Sequence, residues 1–108
     1  MTYGTALAAL ADPTRRQVFE RLRPGPQPVS AIARGMPVSR PAVSQHLKVL
    51  KDAGLVTDRA EGTRRVYSID PHGLGELRAW FDRFWTDALD RFQAEVERNP
   101  GNDKEPQP

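Results

Sequence analysis

The chain has 108 residues, 38 % hydrophobic and 28 % charged, with no cysteine and a formal net charge of +2 at pH 7. That length allows one domain with a single modest core, and the composition suits a globular chain rather than a disordered one. The missing cysteines exclude disulfides and thiolate metal sites. No apolar run approaches a membrane span and no signal-peptide pattern opens the chain, so a cytoplasmic protein without a membrane partner is expected.

The net charge hides an asymmetry. Residues 1–33 carry +2, residues 34–68 carry +4 and residues 69–108 carry −4. A polyanionic partner is therefore steered to the middle of the chain.

Tyr3–Ala11 reads as a short apolar helix, with Tyr3, Leu7 and Leu10 at helical spacing. Asp12-Pro13 supplies an N-cap and first-turn proline for a second helix. That helix is expected to reach Arg23, with Val18, Phe19 and Leu22 inward, before Pro24–Pro28 breaks the chain. Val29–Met36 reads as a short third helix, closed by a tight turn at Pro37-Val38.

Ser39–Gly54 is the stretch around which the rest is organised. Ser39 is a good N-cap, Pro41 fits the first turn, and Gly54 suits the left-handed residue that ends a helix. At about 100° per residue, Ala42, Val43, Leu47, Val49, Leu50 and Ala53 share one arc. Arg40, Pro41, Ser44, Gln45, Lys48, Lys51 and Asp52 fill the other. A helix with donors and positive charge outside, preceded by a helix and a tight turn, makes a helix-turn-helix able to enter the major groove of DNA.

After Gly54 the period changes. Leu55–Ala60 and Thr63–Ile69 read as strands around a Glu61-Gly62 turn, with Val56, Tyr67 and Ile69 directed to the core. Arg59, Arg64 and Arg65 near the tip make this hairpin a wing that reaches along phosphates. Asp70-Pro71 restarts a helix expected to run to Arg98. Its apolar positions, Leu77, Trp80, Phe81, Phe84, Trp85, Ala88, Leu89, Phe92 and Val96, cover an arc near 180°. One core contact needs a stripe of only about 100°, so a homodimer interface is expected there, joined by Tyr3, Leu7 and Leu10. The alternative is a helix folded back over its own domain. Residues 99–108 are polar and Pro/Gly-rich, and are expected to be a disordered tail to a domain over 1–98. The expected fold is mainly α with a small β-hairpin wing: four helices, the hairpin and a long fifth helix.

Three segments carry a family resemblance: Leu10–Arg16 (LADPTRR), Ser39–Val56 (SRPAVSQHLKVLKDAGLV) and Glu61–Ile69 (EGTRRVYSI). In these and in element order, residues 5–97 resemble the ArsR/SmtB family of bacterial winged helix-turn-helix repressors. The resemblance implies a homodimer joined through the first and last helices, an inverted-repeat operator in double-stranded DNA, and transcriptional repression. It also shows a departure. Ala33 and Gly35 stand where the family's metal sensors carry thiolates, and the last helix has Asp82, Asp87, Asp90 and Glu95 with no histidine beyond His72 at its start. Zinc favours nitrogen and sulfur donors, so no metal and no cofactor is expected at the family's usual sites. The chain resembles the metal-free branch, whose inducing signal is often unknown. A small-molecule inducer is left open, as is whether the aromatic cluster is core, interface or pocket.

Arg40, Ser44 and Gln45 are the expected base readers, with Lys48 beside them and Pro41 in the same first turn. Ser39 and the helix N-terminus offer N–H groups to a phosphate. Arg59, Arg64 and Arg65 are expected on the backbone or in the minor groove. His46 falls in the buried arc and is expected to pack rather than read; His72 is a capping or solvent residue. No cysteine nucleophile, glycine-rich phosphate loop, HExxH pair or supported Ser/His/Asp set is present, so no enzyme is expected. The rival reading is a winged-helix protein-association module without DNA specificity.

Overall fold

The computed structural model describes residues 3–98, and the side chain of Tyr3 and the expected tail at 99–108 lie outside the described ones. In chain order the elements are α1 (Tyr3–Ala11), α2 (Pro13–Glu20), β1 (Gln27–Pro28), α3 (Val29–Ala33), α4 (Arg40–Asp52), β2 (Val56–Glu61), β3 (Arg64–Ile69) and α5 (Pro71–Arg98). No helix among the described residues is long and apolar enough to cross a membrane.

The α1–α2 junction shows what the LADPTRR wording does. The Asp12 carboxylate accepts the Arg15 N–H at 3.0 Å, with Pro13 in the first turn, as the cap signal requires. The two arginines then fold back. Arg15 donates to the Ala9 carbonyl at 3.1 Å and Arg16 to that of Leu10 at 2.8 Å. They satisfy carbonyls that the end of α1 leaves without partners. Arg21 does the same for α3, donating to the Ile32 and Arg34 carbonyls.

Two local expectations are corrected. First, α2 stops at Glu20 rather than Arg23, and α3 at Ala33 rather than Met36, although Leu22 and Met36 stay buried. Second, Pro24–Pro28 is not only a break. Gln27 and Pro28 pair antiparallel with Tyr67 and Val66, making a three-stranded sheet of order β1-β3-β2. A proline has no N–H to give to a ladder, which is why this strand lies at the edge. A further buried residue of β3, unforeseen, is Val66 at 4 % exposure, while Tyr67 and Ile69 are half-buried. Tyr67 and Ile69 do pack against the main core from the sheet face that also carries Val56.

That core joins Ala6 and Ala9 of α1, Val18 and Leu22, Ile32 of α3, Val43, Leu47 and Leu50 of α4, and Leu55 and Val56. Each fully buried Val, Leu or Ile contributes about 1.5–3 kcal/mol relative to exposure. Leu10, expected at a dimer interface, packs against this core, and Leu7 is half-buried.

The chain divides into two compact units, one ending at Leu77 and the other beginning at Arg78. The start of α5 belongs to the first unit. Asp70 donates its N–H to the Leu55 carbonyl at 2.9 Å and accepts the His72 N–H at 3.0 Å on its carboxylate. Leu77, expected at the dimer interface of α5, is instead buried within the first unit at 7 % exposure. In the second unit Phe81, Phe84, Trp85, Leu89 and Phe92 are exposed, between 49 % and 67 %, and Ala88 is half-buried among them. Trp80 stacks on Phe84 at 5.9 Å between ring centroids and meets Phe81 edge-on at 4.9 Å.

Candidate nucleic-acid interface

Both ends of α4 are built as the sequence requires. At the start, Ser39 Oγ accepts the Ala42 N–H at 3.2 Å, with Pro41 in the first turn. At the end, Gly54 has φ +80°. Its N–H donates to the Lys51 carbonyl and the Leu55 N–H to that of Leu50, each at 2.9 Å. This is a Schellman closure, completed by the two fully buried leucines, Leu50 and Leu55. It turns the chain directly from helix into β2.

The inward face of α4 anchors it through Val43, Leu47 and Leu50, all fully buried. Arg40, Pro41, Ser44, Gln45 and Lys48 are exposed on the outward face. His46 is half-buried, on the flank near Asp12. The Arg15 N–H is the main cause that holds the Asp12 carboxyl below the usual carboxylate range.

The wing is a two-residue hairpin, Gly62-Thr63, with Glu61 opposite Arg64. Gly62 has φ +65° and Thr63 does not have positive φ, the arrangement of a type II′ turn. The turn is thus one residue later than expected.

Two open clefts flank the outward face of α4. One, of about 440 Å³, is lined by Pro28, Val29 and Ser30, by Arg40, Pro41 and Ser44 of α4, and by Thr63, Arg64, Arg65 and Tyr67 of the wing. The other, of about 430 Å³, is lined by Ser44, Gln45, Lys48, Lys51, Asp52, Asp58 and Tyr67. Most of the expected site residues are therefore gathered around α4. Arg59 is not, since it lines neither cleft and pairs with Glu61 at 3.0 Å.

The cations of this region are not equivalent. Lys48 pairs with Asp52 at 3.1 Å, both two-thirds exposed. Lys51 at 2.8 Å and Arg65 at 3.1 Å share Asp58. Arg40 and Arg64 have no carboxylate partner among the described residues, and both line the larger cleft. The Asp58 carboxyl lies below its ordinary range, chiefly through the Lys51 hydrogen bond and then that of Arg65, against the opposing effect of burial.

Sequence reasoning missed Asp58, Tyr67, Ser30 and Thr63 as residues of this region. For Tyr67 a signal existed, because the period of two puts it on the same strand face as Arg65. For Ser30 none did, since the α3 N-terminus meets the wing only through the unforeseen pairing of β1.

A helix-turn-helix domain model matches residues 10–59. The chain is 59 % identical over 98 residues to the HTH-type transcriptional regulator Rv2034 of Mycobacterium tuberculosis, covering 91 % of each chain. It is also similar to the homodimeric winged helix-turn-helix DNA-binding domain Mb0332 of Mycobacterium bovis, described as a possible ArsR-family regulator. That similarity has 30 % identity and a TM-score of 0.62, over 93 % of this chain and 84 % of that one. The chain belongs to the ArsR/SmtB family of winged helix-turn-helix transcriptional regulators. A further likeness, at 52 % identity and TM-score 0.68, is to a crystal structure described as a possible transcriptional regulator for arsenical resistance. It covers 82 % of this chain and 93 % of the other. In this ArsR/SmtB regulator, then, α4 occupies the recognition-helix position and the β2–β3 hairpin is the wing.

Proposed function

We propose that this regulator is a homodimeric repressor that binds an inverted-repeat operator and blocks transcription, without catalysis and without the family's usual metal sites. The observation that carries the reading is the shared cleft, where two unpaired arginines, Arg40 of α4 and Arg64 of the wing, face one opening beside Ser44. In this reading the N-terminal half of α4 enters the major groove. Arg40, Ser44 and Gln45 read base edges there and Lys48 flanks them. Ser39, already accepting one N–H, keeps its O–H as a donor to phosphate. Arg64 lies on the backbone, Arg59 follows it as a secondary contact, and Arg65, paired with Asp58, reaches the backbone last.

Dimerisation is supported by the exposed row Phe81, Phe84, Trp85, Leu89 and Phe92. Side chains of this size exposed together mark an interaction surface. The homodimeric relative from Mycobacterium bovis supports the same assignment. The reading without a metal is supported by the donor chemistry. The chain has no cysteine, and among the described residues no three of His, Asp and Glu gather where one ion could be held. The reading is tested by selecting duplexes from a random DNA library and titrating them at moderate salt. The expected result is a palindromic consensus bound by a dimer; a folded dimer without sequence preference refutes it.

A further inference from the structure

We propose that Asp58 is a positioning residue for operator discrimination, a shielded carboxylate that ties Arg65 of the wing to Lys51 of α4 and withholds both cations from non-specific phosphate contact. The inference rests on the DNA-binding reading above.

Asp58 stands on the sheet face that meets α4, opposite Tyr67 and two residues from buried Val56. Its side chain is 9 % exposed, while Lys51 and Arg65 are each about half exposed. The two carboxylate oxygens are divided between elements. Oδ1 accepts from Lys51 Nζ at 2.8 Å, in the last turn of α4, and Oδ2 from Arg65 Nε at 3.1 Å, on β3. The other pairs of the region are different in kind, since Lys48–Asp52 and Arg59–Glu61 have both partners more than half exposed. Exposed pairs of that sort are worth little. A shielded carboxylate, by contrast, is costly unless paired, so the Asp58 cluster holds its geometry.

Two consequences follow for DNA. The hairpin is fixed against α4 close to where β2 leaves the helix, which sets where the tip, with Arg64, meets the backbone relative to the base-reading end at Arg40. The same carboxylate engages both cations at once, and its single negative charge leaves the cluster with a net charge of about +1 instead of +2. Non-specific affinity comes from phosphate neutralisation, and discrimination comes from correctly placed base contacts. Loss of the Asp58 charge therefore moves the two in opposite directions, whereas loss of mere structural support lowers both.

The test compares a duplex selected by the wild type with a scrambled one, each titrated from about 50 to 200 mM salt, a range in which phosphate contacts dominate the change. Asp58→Asn is expected to bind the scrambled duplex more tightly. Its log K against log salt slope should steepen by about 0.9, for the one positive charge that the carboxylate had offset. The preference for the selected duplex should fall on the order of tenfold, about one base pair's discrimination. Asp58→Glu, which keeps the charge, is expected to retain the wild-type slope. Lys51→Met provides a readout that does not depend on the fold tolerating a change at Asp58. A cation already committed to Asp58 should leave the slope unchanged when removed, whereas Arg64→Gln should flatten it by about 0.9. Equal loss of affinity for both duplexes in Asp58→Asn overturns the proposal, as does a Lys51→Met slope as flat as that of Arg64→Gln. A wild type that discriminates beside an unaltered Asp58→Asn refutes the proposal alone. A wild type that does not discriminate takes the functional reading down with it.

Discussion

Gly73→Ala sets two effects of opposite sign against each other. Gly73 lies inside α5, where alanine is intrinsically better than glycine by about 1 kcal/mol. It is also buried, and a Cβ added there would stand 1.7 Å from the Gly54 carbonyl oxygen and 2.7 Å from its carbon. Ordinary carbon–oxygen contact begins beyond 3 Å, so helix and turn must separate by more than an ångström. The obstacle is backbone and cannot rotate away. Gly54 is itself held at φ +80° by the closure of α4, and Leu55 is locked by its carbonyl to Asp70. Overpacking of this kind costs about 3 kcal/mol, which leaves a net loss of about 2 kcal/mol after the propensity gain. For a domain of this size that lowers Tm by about 8–16 °C. Gly75→Ala is the internal control, because the same helix offers open space at that position. It should gain about 0.5–1 kcal/mol, or a few degrees. Thermal and urea unfolding by circular dichroism at one fixed protein concentration measures both, since an oligomer's Tm depends on concentration. A Gly73→Ala variant as stable as Gly75→Ala refutes the close approach of α5 to the end of α4.

Ser39→Ala removes the α4 cap and should cost about 1 kcal/mol, read as a fall in the urea midpoint; no change would mean the cap hydrogen bond contributes nothing. Acid unfolding follows from Asp58. Its folded-state pKa is below the ordinary 3.8, so its contribution is complete above about pH 4 and is lost as pH falls through the folded value. Asp58→Asn should blunt that part of the acid sensitivity in urea midpoints taken from pH 5 downward, and an unchanged pH profile refutes it. Arg40→Gln should relax preference at a single operator position, whereas a uniform loss across sequences with a salt slope flattened by about 0.9 assigns it to phosphate. Phe81→Glu with Trp85→Glu should sediment as a monomer, and a persisting dimer places the interface elsewhere.

What could be read from the sequence depended on how local its cause is. The bounds of α4 were legible because Ser39, Pro41 and Gly54 act within one turn of themselves, and the structure realises each by a hydrogen bond or a positive φ. Its inner face was legible because the period of a helix is regular. By contrast, β1 is two residues long, too short for any alternation, and exists only because β3 presents an edge to it. The burial of Val66 follows from the same edge. Leu77 fits the apolar arc of α5 as well as Phe81 does, and only the packing of the first unit separates them.

The candidate site was legible in its residues but not in its charges. By count, residues 34–68 carry +4, which treats every cation as equally available. In space the three acids are not spread evenly. Asp52 takes Lys48, Glu61 takes Arg59, and Asp58 takes both Lys51 and Arg65. All four of those cations lie on the α4 surface or the wing, so the count overstates the free positive charge there. What is left unpaired among the described residues of that surface is Arg40 at the head of α4 and Arg64 at the wing tip, across one cleft. Exposed pairs such as Lys48–Asp52 open cheaply to a phosphate, because each is worth at most about 1 kcal/mol. The Asp58 cluster opens less readily, because opening it strands a shielded charge. DNA should therefore engage Arg40 and Arg64 first, Lys48 and Arg59 next, and Lys51 and Arg65 last. That order is set by the positions of three carboxylates rather than by the number of arginines.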